Sequence, residues 1–266
     1  IEDLPVQGDP MDPGDAGAGS GEAGFRWLSR AVELVQRGQG RALVTAPIAK
    51  HAWHAAGHPY PGQTERLAEL DRAESASMLF TAVSPSTGWR LNTLLATTHI
   101  PLQRVSQALT PALVTSKLET LAEFCQRFSS SPELLVAGLN PHAGEQGQLG
   151  REEEQWLTPL LHQWAQANPT IRLKGPLPPD TCWLSAAQAW SHSDASGPDG
   201  ILALYHDQGL IPVKLLAFDQ AVNTTLGLSF LRTSPDHGTG FDIAAQGIAR
   251  CDSMLSAIEA AWRLSQ

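Results

Sequence analysis

From Phe25 the chain alternates apolar and polar positions with the period of a helix. Phe25, Leu28, Val32 and Val35 recur three or four residues apart, and Gly38 stands where such a helix should stop. Four short apolar runs follow, RALVTAP (41–47), LNTLLATT (91–98), ELLVAGL (133–139) and GILALY (200–205), each the length of a buried strand. Helical patterns lie between them. Thr110 and Pro111 make an N-cap and first-turn pair ahead of Leu113, Val114, Lys117, Leu118, Leu121 and Phe124, and another helix is predicted from Glu152 to Ala167. Strands alternating with helices of this length predict an α/β fold with much parallel pairing. Residues 1 to 21, rich in Gly, Pro and Asp, read as a tail or exposed arm, and SHSDASGPDG (191–200) as a surface loop.

Composition narrows the class of ligand. The 266 residues are 42% hydrophobic and 17% charged, which suits a soluble protein with one large domain or two modest ones. A formal charge of -9 without a basic stripe argues against a nucleic-acid surface and for a small ligand. Cys125, Cys182 and Cys251 are scattered and lack CxxC spacing, so neither a disulfide framework nor a thiolate zinc site is indicated. A reducing cytoplasm is the expected location. No apolar run reaches about 18 residues, and the acidic start IEDLPVQGDPMDPGD is unlike a signal peptide.

Gly19, Gly21 and Gly24 spell GxGxxG, the spacing of a dinucleotide fingerprint. Pro10, Pro13, Gly14 and Asp15 stand where the first strand of a Rossmann unit should be, so a flexible tail leading into a helix is the better expectation. The histidines say more. His99, His142 and His206 each stand just beyond an apolar strand run, and in open α/β sheets ligands bind outside the carboxyl ends of strands. Three neutral imidazoles with one open position make a common catalytic metal shell. Any one of them is equally a hydrogen-bonded loop residue. Lys214, Asn223 and Arg232 punctuate the tract IPVKLLAFDQAVNTTLGLSFLRT; a phosphate or carboxylate would partner the two cations, unless they reach water instead. In SPDHGTGFDIAAQGIAR, glycines flank Thr239, and His237, Asp236 and Asp242 are placed to meet a nucleotide or to form an ordinary connector.

TAPIAK, PGQTE, ATTHIPL, GLNPHAGEQGQLGREE, YHDQGLIPVK, AVNTTLGLSFLRT and SPDHGT, in that order from about Arg41 to Gly247, resemble the 4-hydroxythreonine-4-phosphate dehydrogenase family of vitamin B6 biosynthesis. HGTGFDIAAQGIAR also resembles the nucleotide loop of the isocitrate and isopropylmalate dehydrogenases. The resemblance implies two α/β/α domains around a cleft, here 1–60 with 233–266 and, separately, 61–232. It implies NAD-dependent oxidation of 4-phosphohydroxy-L-threonine, with NADP as the alternative cofactor, and decarboxylation to 3-amino-2-oxopropyl phosphate. It implies a divalent metal on His99, His142 and His206, with zinc, cobalt or magnesium as the ions to consider. It also implies a homodimer with the active site at its interface. Substrate contacts fall on Gln63, Thr64, Lys214, Asn223 and Arg232, and nucleotide contacts on His237 and Gly238. Catalytic roles are expected of Lys214 and, from its place beside His206 and not from the resemblance, of Asp207 as orienter or proton relay. His206 would end its strand at the metal, and Lys214 would return to the same pocket.

Two departures from the family pattern stand out. Gln63 replaces the histidine of PGHTE, so a phosphate would meet a neutral amide. Family members begin with a strand and a loop close to TPGEPAGIGPE, which precedes anything in this sequence, so the first domain is expected to lack its N-terminal part and expose a sheet edge. A dehydrogenase of phosphothreonate or phosphoerythronate would share these motifs. A noncatalytic metal- or phosphate-binding protein is the alternative of another class.

Overall fold

The computed structural model describes residue 4 and residues 16–266. The remainder of the expected arm, and with it Pro10, Pro13, Gly14 and Asp15, lies outside the described residues. The chain divides into two compact units, Ile1–Ala76 with Val222–Gln266, and Ser77–Ala221. The expected division at 60/61 and 232/233 is therefore displaced at both crossings.

The first unit opens with α1 (Ala18–Gln36), followed by β1 (Ala42–Val44), α2 (Lys50–Ala55) and α3 (Gln63–Asp71). Helix α1 buries the predicted stripe of Leu28, Val32 and Val35 against Leu43, Trp53, Leu67 and Phe230, and Gly38 past its end has the left-handed φ of +72° expected of a helix stop. The helix begins earlier than predicted, so Gly19, Gly21 and Gly24 are helical and the flexible-tail reading of this stretch is corrected. A Cβ on Gly21 would lie 2.0 Å from the Ala52 carbonyl oxygen. The glycine lets α1 touch the backbone of α2, a packing role that needs neither a preceding strand nor a dinucleotide.

The second unit runs β2 (Ser77–Val83), β3 (Arg90–Leu95), α4 (Val105–Ala108), α5 (Pro111–Gln126), β4 (Glu133–Ala137), a π-turn (Glu153–Leu157) continuing into α6 (Thr158–Ala167), β5 (Arg172–Leu177), α7 (Leu184–Ser191), β6 (Gly200–Ala203) and α8 (His206–Ala217). Thr110 Oγ1 accepts from the Leu113 N–H, the predicted cap. Its strand order is β2-β3-β6-β4-β5; β2 is antiparallel to β3, and every other neighbouring pair is parallel. Leu91, Leu95, Leu135, Ile201, Ala203, Leu210 and Val213 are among the residues of one continuous core. The carboxyl ends of β3, β6 and β4 consequently share one edge.

The chain then returns to the first unit with β7 (Val222–Leu226), β8 (Leu231–Pro235) and α9 (Asp252–Leu264). There β8 lies between β1, to which it is parallel, and β7, to which it is antiparallel. This pairing is why Asn223 and Arg232 belong with the first unit and not with the tract that carries Lys214. Among the described residues no helix is long and apolar enough to cross a membrane.

Candidate functional site

In the second unit, parallel pairing sets Leu95 of β3 beside Ala203 of β6. The chain beyond each strand end is tied to the other, since the Ala96 N–H donates to the Ala203 carbonyl at 2.8 Å and Thr97 Oγ1 donates to the Leu204 carbonyl at 2.7 Å. A few residues on, the rings of His99 and His206 come to 5.4 Å between centroids. His206 does not close a strand but opens α8, following Tyr205 in extended conformation. A Cβ on Gly209 would meet Leu95 Cδ2 at 2.6 Å and Ala203 Cβ at 2.9 Å, so the glycine lets the first turn of α8 sit directly on β3 and β6. The Nδ1 of His206 is 2.8 Å from Asp207 Oδ1, a contact that orients the ring and does not use Nε2.

His142 follows β4 at the same sheet edge. Its backbone and those of the next four residues, through Gln146, all have positive φ, from +42° to +85°. Left-handed backbone costs an L-residue about 1–2 kcal/mol, so a run with four side-chain-bearing members must be held from outside. Its imidazole is two-thirds exposed, with Nδ1 3.0 Å from Glu145 Oε2. Among the described residues no group of three or more His, Cys, Asp or Glu forms a metal-holding cluster. One chain thus brings together His99 and His206 but not the full trio.

A residue that sequence reading passed over links these strand ends. Gln208 is buried; its Oε1 accepts from the Leu204 N–H beyond β6, and its Nε2 donates to the Gly138 carbonyl beyond β4, both at 2.7 Å. Lys214 lies two turns further along α8, about 12 Å along the axis from His206 at the usual rise per residue. It is half-buried, with its ammonium 6.0 Å from the Phe218 ring.

The first unit holds the anion-binding candidates. Arg232 is only 4% exposed, and its partners are neutral: Nε and Nη2 donate to Thr45 Oγ1 (3.1 and 2.7 Å), Nη1 to Thr225 Oγ1 (3.1 Å) and Nη2 to Gln63 Oε1 (3.1 Å). Among the described residues, no carboxylate bonds to it, and one Nη1 N–H is without an acceptor. Burial pushes its pKa down to about 10, which leaves it charged at neutral pH. A buried guanidinium with no carboxylate is costly unless a ligand supplies the anion. Gln63 is fixed at its other end, Nε2 donating to the Ala46 carbonyl at 2.8 Å. Antiparallel register places Asn223 and Thr225 on the face of β7 that they share with Ser234 and Arg232 of β8. The Asn223 Oδ1 is buried without a hydrogen-bond partner, an acceptor waiting for a donor. Thr64 sits, half-buried, in the first turn of α3 beside Gln63.

His237, Gly238 and Thr239 line a cavity of about 600 Å³, together with Phe241, Ala46 and Gln63. Sequence reading named Gln63, His237 and Gly238 but missed Thr45 and Thr225. Their signal was present only as members of TAPIAK and AVNTT, because a threonine hydroxyl acquires meaning from the cation it faces.

The fold is α/β, with a buried guanidinium in the first unit and, in the second, two imidazoles close together beyond strand ends. Residues 1–261 match the family described as pyridoxal phosphate biosynthetic protein PdxA, and the chain belongs to that family. It is 64% identical over 266 residues to the 4-hydroxythreonine-4-phosphate dehydrogenase of Synechococcus sp. (strain RCC307), covering 99% of this chain and 81% of the relative. It is 40% identical to the D-threonate 4-phosphate dehydrogenase of Salmonella typhimurium, covering 100% of this chain and 77% of that one. The crystal structure of 4-hydroxythreonine-4-phosphate dehydrogenase from Klebsiella pneumoniae matches it with a TM-score of 0.83 at 38% identity, over 99% of this chain and 76% of the other.

Proposed function

We propose that this chain oxidises 4-phosphohydroxy-L-threonine with NAD and releases carbon dioxide and 3-amino-2-oxopropyl phosphate, in the route to pyridoxal 5'-phosphate. The observation that carries this reading is the 64% identity, over 99% of the chain, to a relative named for that substrate. The geometry supplies groups for each part of it. Arg232, to which Gln63 is bonded, would neutralise phosphate or carboxylate, and Lys214 and Thr64 are the further substrate contacts in this reading. The bare Asn223 Oδ1 suits an amino or hydroxyl donor of the substrate.

His99 and His206 are chemically suited to a borderline ion such as zinc or cobalt, and less so to magnesium. His142 would be the third donor. Its ring points out from a left-handed turn, so we assign it to the site of a second copy of the chain, in a homodimer. Exposed Ile211 and Leu215 on α8, with Phe218 just past its end, give that dimer apolar area to bury. When bound, the ion would supply Lewis-acid polarisation of the oxygen at the reacting carbon. Asp207 holds the His206 tautomer, and with its side chain three-quarters exposed it can pass the hydroxyl proton to water. The cavity at His237 and Gly238 is of a size that receives small ligands and would hold the nicotinamide nucleotide, NADP being the variant to compare.

The test is NAD reduction by the purified protein with 4-phosphohydroxy-L-threonine, before and after chelation. Activity that chelator abolishes and zinc restores is expected; turnover unaffected by thorough chelation removes the metal. A second reading, oxidation of phosphothreonate or phosphoerythronate, is favoured by one feature, the uncharged Gln63 on Arg232. Product analysis decides, because only the first reaction yields an amino ketone phosphate.

A further inference from the structure

The left-handed turn that carries His142 raises the question of what holds it. Glu153 is 3% exposed, and its carboxylate bonds to the residues that lead into this turn. Oε1 accepts from the backbone N–H groups of Leu139 (2.8 Å) and Asn140 (2.7 Å), while Oε2 accepts from Asn140 Nδ2 (2.8 Å). The same Nδ2 donates to Glu152 Oε2 at 2.8 Å. Glu152 is held below the ordinary carboxyl pKa, first by its own backbone N–H and then by the Asn140 amide. A Cβ on Gly144 would come within 2.9 Å of Glu153 Oε2, so the turn wraps closely around this side chain. Glu153 also begins the π-turn Glu153–Leu157, a rare backbone form that is frequent at functional sites.

We infer that Glu153 is a positioning residue: its buried carboxylate fixes the strained turn 142–146 and so aims the His142 imidazole outward. This rests on the reading of His142 as a metal donor. Two backbone amides and a side-chain amide converge on one carboxylate, and all three are donors. An isosteric glutamine must present N–H to at least one of them, whichever way it turns. The turn then loses part of what offsets its strain, while side-chain volume in the core is unchanged.

The experiment compares wild type with Glu153→Gln in two measurements: zinc affinity of the protein, by competition with a chromophoric chelator, and amide hydrogen exchange without metal. Zinc affinity should fall about 10- to 100-fold, and exchange should quicken at Leu139 and Asn140 but not in β3 or β6. Saturating zinc should return kcat towards wild type with KM for the phosphorylated substrate little altered, a split that general unfolding would not give. Equal zinc affinity with unchanged exchange overturns the inference. If wild type itself binds no zinc, the metal reading fails, and the exchange measurement alone decides whether Glu153 holds the turn. Should Glu153→Gln not fold by circular dichroism, Asn140→Ser takes its place. It removes the side-chain tether and keeps Glu153 on the two amides, so a smaller loss of zinc affinity is expected, and none would be contrary.

Discussion

Among the described residues two cations are buried, and their surroundings differ. Arg232 is ringed by two threonines and a glutamine, and among the described residues no carboxylate bonds to it. Lys117 of α5 is 8% exposed, and its ammonium donates to Ser77 Oγ at 2.7 Å. Desolvation lowers its pKa from the ordinary 10.5, and unlike a guanidinium it can relieve that cost by shedding a proton. Below the folded-state pKa the amine is protonated both folded and unfolded, so folding bears the full cost of burying the charge. As pH rises through that value towards 10.5, the unfolded chain binds more protons than the folded one, and stability from this group increases. Lys117→Met should therefore raise Tm at pH 7 by about 2–4 °C, corresponding to about 1 kcal/mol. The gain should shrink as pH approaches 10. Melting curves at the two pH values check this, and a pH-independent effect would contradict it.

At the scale of elements, three small residues set distances that the sites need. Gly209 seats α8 on β3 and β6, Gly144 lets the His142 turn close on Glu153, and Gly21 lets α1 meet α2. Gly21 gives the sharpest expectation, because its neighbour is backbone and cannot rotate away. Gly21→Ala should destabilise the first unit by about 1–3 kcal/mol through forced separation of the two helices. Denaturant melts would show it, whereas Gly19→Ala, with open space around its Cβ, should be neutral or slightly stabilising. The glycine spacing was visible in the sequence. Its meaning was not, because helix packing and phosphate binding use the same lack of a side chain.

For the molecule as a whole, the proposed metal site takes His142 from a second copy of the chain. Inactive His142→Ala and His206→Ala proteins, mixed under conditions that exchange subunits, should recover part of the activity, because a mixed dimer contains one site with all its imidazoles. The two proteins assayed separately supply the comparison. No recovery, with subunit exchange verified by light scattering or mass spectrometry, would place all three donors elsewhere.

The local content of the fold was legible. The α1 stripe, the Thr110 cap, the runs that became β1, β3, β4 and β6, and the histidines beyond three of those strands all follow from periodicity and capping, which act over a few residues. What was missed depends on partners distant in the chain. The tract after His206 read as broadly apolar but divides into α8, β7 and β8, and Arg232 donates to Thr45, 187 positions away. Glu153 and Gln208 were ordinary polar letters until burial gave them donors to satisfy. Sequence alone determined the family and which residues are candidates for the chemistry, since motif and residue type encode them. Only tertiary structure decided which unit each belongs to and what holds it in place, because strand pairing, burial and charge compensation are set by neighbours in space.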